Sequence, residues 1–278
     1  MRELPIDSTA ETFAANRARG SIAVTIGGAD GVTRRRRVHE DGSLRIRFPN
    51  GDGRDLEAVV INTAGGMAAG DRFSFDVTVE EGGCLTLTTA AAEKTYRSNG
   101  PDAVIDVALT VAAGATLHWL PQETILFDQA RLSRKVDINL TGNGRLLLAE
   151  AVVFGRTAMD ETVTQGMFTD RWRVRRDGRL AFAETVKLDG AIAAKLSERA
   201  VAAGGAALAT VLLSPGDDSA VAAVRALEEN FAGEVGASAW NGQAVVRLCA
   251  TDGARLRHDL MMILPVLSDR ALPRLWLN

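Results

Sequence analysis

Between Phe73 and Val79 the apolar residues Phe73, Phe75, Val77 and Val79 alternate with Ser74, Asp76 and Thr78, the period-two pattern of a strand with one buried face. Glu81-Gly82-Gly83 interrupts the pattern, which resumes at Leu85 and Leu87. The same layout recurs: Val111 precedes Gly114 and Leu117, Leu140 precedes Gly144 and Leu146, and Val174 precedes Gly178 and Leu180. Each copy is a β residue followed, past a glycine turn, by a leucine, and counted from Val79 the copies begin 32, 29 and 34 residues apart. Repeats of that period predict stacked supersecondary units, each unable to bury its hydrophobic face alone. Valine and threonine are frequent throughout these segments. The expected fold is mainly β, a twisted, partly solenoidal (β-helix-like) body of stacked strands with two helices in its C-terminal half.

The helical stripes come late. Asp217-Asp218-Ser219 offers N-cap candidates before Val221, Val224, Leu227 and Phe231, with Gly233 as the stop. Leu256, Leu260, Ile263 or Leu264, and Leu267 mark a second helix with Asp252 near its start, and Pro265 should end or kink it. Nothing resembling a linker forces a boundary. One domain over 1–278 is expected, with a β body over about 1–203 and a mixed α/β appendage over about 204–278.

Composition narrows the function. Hydrophobic residues make up 46% of 278, enough for a sizeable core, and a net charge of −3 argues against general affinity for nucleic acid or anionic membranes. Arg34-Arg35-Arg36-Arg37 is the conspicuous patch; with no interleaved aromatic residues it reads as a solvated strand or loop edge. Cys84 and Cys249 lie far apart in alternating sequence, which argues for small buried residues and against a disulfide framework or thiolate metal site. The first ten residues carry acids and a proline where a leader would need a basic start and an apolar run, so a cytoplasmic location is expected. Apolar runs are too short and too charged to span a bilayer.

Ile61-Asn-Thr-Ala-Gly-Gly-Met-Ala-Ala-Gly-Asp-Arg-Phe73 looks like a phosphate loop and fails as one. Gly65 and Gly70 have the spacing, but Asp71 stands where a lysine is needed and would repel a triphosphate. A tight turn ending in a buried or interfacial acid is the plainer reading. His39, His118 and His258 have no metal-ligand spacing, and no HExxH, GxSxG or CxxC string occurs. Glu150 and Glu184 each lie four residues after the leucine of a repeat, so equivalent rungs would bring two acids together, sharing a proton, a cation or water. Such a pair would suit a β-solenoid carbohydrate hydrolase; two solvent-facing glutamates are the plainer alternative. Lys94, Tyr96 and Arg97 either bind a polar partner or decorate a loop.

The glycine segment is followed in order by Thr89-Ala-Ala-Ala-Glu-Lys-Thr-Tyr-Arg-Ser98, Leu120-Pro-Gln-Glu-Thr-Ile-Leu-Phe-Asp-Gln-Ala130 and Glu150-Ala-Val-Val-Phe-Gly-Arg156. Together they resemble the UreD (UreH) family of urease accessory proteins, and the resemblance extends to Pro273-Arg-Leu-Trp276. Ser43-Leu-Arg45 and Ala68-Ala69 depart locally from the usual pattern. The resemblance implies a non-enzymatic scaffold for nickel insertion into urease that binds the urease apoprotein and UreF, through which the GTPase UreG joins. Its motifs fall on Gly65, Gly66, Gly70 and Asp71; on Lys94, Tyr96 and Arg97; on Pro121, Gln122 and Glu123; and on Glu150, Gly155 and Arg156. No tightly bound cofactor is implied. Ni²⁺ would pass transiently, and carboxylates hold it more weakly than clustered imidazoles or thiolates. Asp71, Glu150 and Glu184 are the candidates for its path.

Overall fold

The computed structural model describes residues 17–49, 54–156 and 159–277. Among these, one sheet gathers β1 (Arg19–Ala29), β2 (Val32–Gly42), β5 (Arg72–Val79), β8 (Ala103–Val111), β11 (Arg131–Leu140), β13 (Gly166–Arg176) and β14 (Arg179–Gly190), in the order β14-β13-β11-β8-β5-β1-β2. The facing sheet contains β3 (Leu44–Arg47), β4 (Leu56–Asn62), β6 (Cys84–Thr89), β9 (Thr116–Trp119), β12 (Arg145–Phe154), β15 (Ala207–Ser214), β16 (Glu234–Trp240) and β17 (Gln243–Ala250). Two short strands, β7 (Glu93–Thr95) and β10 (Thr124–Leu126), branch from it.

The chain crosses between sheets at every glycine turn of the first three repeats. Val79 pairs in parallel with Val111, and Val111 with Leu140; across the turn Leu85 pairs with Leu117, and Leu117 with Leu146. The solenoidal expectation holds here residue for residue. A third side closes each coil: Met67 bridges Thr95, β7 pairs in parallel with β10, and β10 with Val152–Phe154 at the end of β12.

The fourth copy departs. β13 joins the first sheet in parallel with β11, but Asp177 (φ 50°) and Gly178 (φ 76°) then form a two-residue hairpin that sends β14 back antiparallel in the same sheet. Two successive positive φ values reverse a chain tightly, whereas the earlier turns let it cross. Leu180 consequently points to solvent, 55% exposed. Glu150 and Glu184 therefore stand in different sheets and are not equivalent rungs, contrary to the register read from the repeat.

Both expected helices form, α2 (Asp218–Arg225) and α3 (Gly253–Leu267), after a six-residue α1 (Ile192–Ser197) too short to leave a stripe; α2 ends before Leu227 and Phe231, which flank a separate 3-10 turn over Glu228–Asn230, and not at Gly233. Asp217 caps α2 through the N–H groups of Ser219 and Ala220, and Asp252 caps α3 through that of Arg255. Pro265 sits inside the last turn of α3, which runs two residues beyond it. β12 is buried on both faces. Leu146, Leu148, Val152 and Phe154 enter the core between the sheets, while Leu147, Ala149, Ala151 and Val153 join the second core under α2 and α3.

Candidate functional site

At the centre of the apolar sandwich three inward-facing positions carry charge. On β11, Leu132, Val136, Ile138 and Leu140 point into the core and Arg134 shares their parity. On β13, Asp170 interrupts the row Phe168, Trp172, Val174; on β12, Glu150 interrupts Leu146, Leu148, Val152, Phe154. All three are buried, and they meet. Arg134 Nε and Nη2 donate to Asp170 Oδ1 and Oδ2 at 3.0 and 2.6 Å, while Nη1 donates to Glu150 Oε2. Trp119 Nε1 donates to the remaining Glu150 oxygen at 2.8 Å.

Burial opposes the charge on Arg134, but the Asp170 and Glu150 carboxylates outweigh it and hold the guanidinium above its ordinary range. Burial pushes Glu150 upward despite Arg134, with Asp170 adding to the rise and the Trp119 hydrogen bond opposing it. One cation thus sits between two acids that, among the described residues, share no other counter-charge. Such a buried network costs desolvation energy that a row of apolar residues would not, so its presence is a functional signal.

Small cavities run through this cluster. One of about 190 Å³ lies under the glycine segment, walled by Asn62, Gly65, Gly66, Glu93 and Lys94. Glu93, Phe75 and Thr89 also wall the next, about 50 Å³, which reaches Trp119, Arg134 and Glu150. Arg134 and Glu150 wall a third of about 40 Å³ together with Asp170 and Thr210. Leu208, Ala209 and Thr210 also wall a groove of about 520 Å³ that is lined by Glu184 and Arg247. Each space is large enough for at least one water. Consecutive cavities share walls, forming a series from the glycine segment to the groove between β14 and β17.

Glu93, which the sequence reading passed over, is the acid at the first junction. Asn62 Nδ2 donates to its two oxygens at 3.0 and 3.2 Å. Burial pushes its carboxyl up to about 7, against the hydrogen bonds of Asn62 and the Lys94 N–H, with Asp71 adding to the rise.

The other candidates take distinct places. Asp71 is buried and accepts from the N–H groups of Ala18 at 2.8 Å and Ala68 at 2.7 Å, tying the glycine segment to β1. Glu184 accepts from Arg247 Nη2 at 2.5 Å in the groove, so it does not share a cavity wall with Glu150 among those described above. The geometry of a paired-carboxylate hydrolase is not assembled from these two residues.

The motif glycines and cations line the stacked third side. Tyr96 Oη donates to the Gly65 carbonyl at 2.9 Å, and a Cβ on Gly66 would lie 2.4 Å from the Tyr96 ring. Tyr96 meets Phe127 edge to face at 5.1 Å, and the Arg156 guanidinium lies 4.1 Å from the Phe127 centroid. Arg156 is paired with Glu161 at 2.7 Å; Gly155 brings the backbone so close to Glu161 that a Cβ would lie 2.1 Å from its carbonyl. Gly70 (φ 79°) turns the chain into Asp71. Lys94, Tyr96 and Arg97 are exposed on this ledge, with Arg97 Nε on Asn99 at 3.2 Å.

Pro121 and Gln122 are buried. Gln122 accepts from Arg257 Nη1 at 2.7 Å and donates to the Leu275 carbonyl at 3.3 Å, and Glu123 lies 3.7 Å from the same arginine. This motif anchors the last residues to α3. His118 is buried with Nε2 3.3 Å from Asp269, His258 reaches the Asn230 carbonyl, and His39 is exposed. Cys84 and Cys249 are free thiols, Cys84 pushed up to about 12 by burial. Among the described residues no three His, Cys, Asp or Glu side chains converge as a metal site, and no helix is long and apolar enough to cross a membrane.

Residues 18–277 match the family model described as UreD urease accessory protein. A protein named "Urease accessory protein UreD" from Rhodopseudomonas palustris (strain BisA53) is 58% identical over 277 residues, covering 99% of this chain and 96% of its own. One of the same name from Bradyrhizobium diazoefficiens (strain JCM 10833 / BCRC 13528 / IAM 13628 / NBRC 14792 / USDA 110) is 57% identical over 97% of this chain and 98% of its own. "Urease accessory protein UreD 1" from Bradyrhizobium sp. (strain ORS 278) is 52% identical over both full lengths.

Proposed function

The chain belongs to the UreD family of urease accessory proteins, and from that premise we propose that it is a cytoplasmic, non-enzymatic scaffold carrying nickel towards the urease apoprotein during GTP-dependent maturation. Its partners in this reading are apo-urease and UreF, with UreG joining through UreF and supplying the GTP hydrolysis. The observation that carries the proposal is the series of cavities whose polar groups, Glu93, Glu150, Arg134, Asp170 and Glu184, interrupt an apolar sandwich. A hydrated divalent cation entering beside Glu93 would exchange waters for carboxylate oxygens one or two at a time. Oxygen ligands bind Ni²⁺ more weakly than grouped nitrogen or sulfur ligands, which suits passage. At the centre the ion would compete with the Arg134 guanidinium for Glu150 and Asp170. Asp71 then acts at a distance from the cargo, fixing the glycine segment that roofs the first cavity.

The experiment is nickel loading of urease matured in a reconstituted mixture with GTP and the partner proteins. Glu150→Gln and Glu184→Gln should leave the complex intact by co-purification while urease nickel content and activity fall. Asp71→Asn should weaken the fold of the segment before it affects loading. Near wild-type nickel content in both glutamate variants would reject the path, and loss of the complex along with loading would assign them to assembly instead. The chain alone should hydrolyse neither GTP nor polysaccharide.

A further inference from the structure

The four-arginine run is a strand, and its environment is unusual. Among the described residues β2 ends the order of its sheet and pairs with β1 alone. From Arg34 to His39 every residue is exposed, on both faces of the strand. An ordinary edge strand buries one face, so this segment is held by little beyond its ladder to β1. Among the described residues the opposite edge makes one backbone bond, from Thr33 N–H to the Arg54 carbonyl at 3.0 Å, which lies before the run. Register slips between Thr25 and Ile26, leaving Arg36 as the extra residue of a bulge.

The charge is concentrated and poorly compensated. Between residues 34 and 47 six arginines face two acids, an excess of four positive charges in a chain whose net charge is −3. Arg45 and Arg47 use Glu40, Arg36 lies 3.9 Å from Glu80 and donates to the Gly28 carbonyl at 3.4 Å, and Arg35 lies 5.0 Å from the Phe48 centroid. Arg34 and Arg37 have neither ion pair nor hydrogen bond among the described residues. One charge or one bulge is enough to blunt an edge against self-association, and four adjacent guanidinium groups repel one another.

We propose that the outer edge of β2 is a docking site for an acidic, extended segment of a protein partner, which adds to the sheet as a further strand. The free N–H and carbonyl groups supply the ladder. Glutamates or aspartates at alternate positions of the incoming strand share one face, where they meet Arg34 and Arg37, the cross-strand neighbours of Gly27 and Thr25 on one side of β1. A second copy of this chain is a poor occupant, because its own β2 would bring the same positive charge. A nucleic acid would satisfy the charge but leave the backbone ladder unused, and the run has no aromatic residue on which bases could stack.

The test uses the full chain and a fluorescent peptide of about ten residues alternating glutamate and valine, the length of a long strand. Binding is followed by anisotropy, and hydrogen exchange is read at the amides of residues 34–39. The expected result is saturable binding with slowed exchange at those amides, weakened by about tenfold or more in R34E/R37E, equivalent to about 1.4 kcal/mol or more. Neither side chain supports the fold, and circular dichroism of the variant should match that of the parent. Methylating alternate peptide nitrogens keeps the charge and removes the ladder, so it should abolish binding. Equal affinity of the methylated peptide, tighter binding of an oligothymidylate, or concentration-dependent dimerisation through this edge would each overturn the proposal.

Discussion

Arg134 and Asp170 are direct neighbours across the parallel pair β11–β13, and the guanidinium grips the carboxylate with two hydrogen bonds at 3.0 and 2.6 Å while its third nitrogen reaches across the sandwich to Glu150. The two sheets are therefore joined at their centre by one fork-shaped cation.

Removing that cation should be severe. Arg134→Met leaves two buried carboxylates without their counter-charge, and a loss of about 3–5 kcal/mol is expected in urea unfolding. Replacing all three groups, as Arg134→Met with Glu150→Leu and Asp170→Leu, should recover most of that loss, because a well-packed apolar cluster of similar volume is often no less stable. If the polar series carries nickel, the stable triple variant should still fail to load urease. Unfolding midpoints and nickel content thus separate the architectural from the transport role.

Glu93 predicts a pH dependence of stability. Its folded-state carboxyl is raised from 4.5 to about 7, so the folded chain holds a proton that the unfolded chain releases. Stability from this group is fully present below about pH 4.5 and falls as pH rises towards 7, by an amount on the order of 2 kcal/mol after allowance for partial exposure. Glu93→Gln should flatten that part of the stability profile while keeping the Asn62 contact. A slope unchanged in the variant would assign the dependence elsewhere.

Gly66 and Tyr96 are expected to be coupled. At Gly66 (φ 145°) an added methyl would strike the Tyr96 ring and also meet the Lys94 carbonyl at 2.8 Å. Gly66→Ala should cost about 2–4 kcal/mol, combining backbone strain with overpacking. Part of it should be relieved in Gly66→Ala/Tyr96→Ala, and a thermal-unfolding double-mutant cycle would measure the interaction.

The helix cap at Asp217 offers a local control. Its carboxylate accepts from Ser219 and Ala220 N–H, and Asp217→Ala should lower stability by about 1 kcal/mol without touching nickel delivery.

The coil was legible because each rung repeats one alternation, and Val79, Val111 and Leu140 stack as their spacing implies. The reversal at Asp177-Gly178 was also written in the residues, as a dipeptide suited to a two-residue hairpin; the leucine that followed at the expected interval concealed it. Glu150 was found, but its partners were missed although alternation marks them. Leu132-Ser-Arg134-Lys-Val136 places an arginine in step with core residues, as Phe168-Thr-Asp170-Arg-Trp172 places an aspartate. An isolated charge in step with a core row looks like an error of pattern until the opposing charge is brought across from another strand. Glu93 was harder to see, since its burial arises from the cavity between the third side and the two sheets and leaves no local periodicity.

The hairpin at Asp177-Gly178 also settles a matter of length. A coil of parallel rungs contains no internal instruction to stop: each new rung offers the next one the same edge, in the same direction. By turning β14 against the grain, two residues with positive φ deny any further coil a matching template, and the connection then leaves through α1 to the other sheet. The number of rungs, and with it the span between the first cavity and the groove, is fixed by a turn rather than by the repeats themselves.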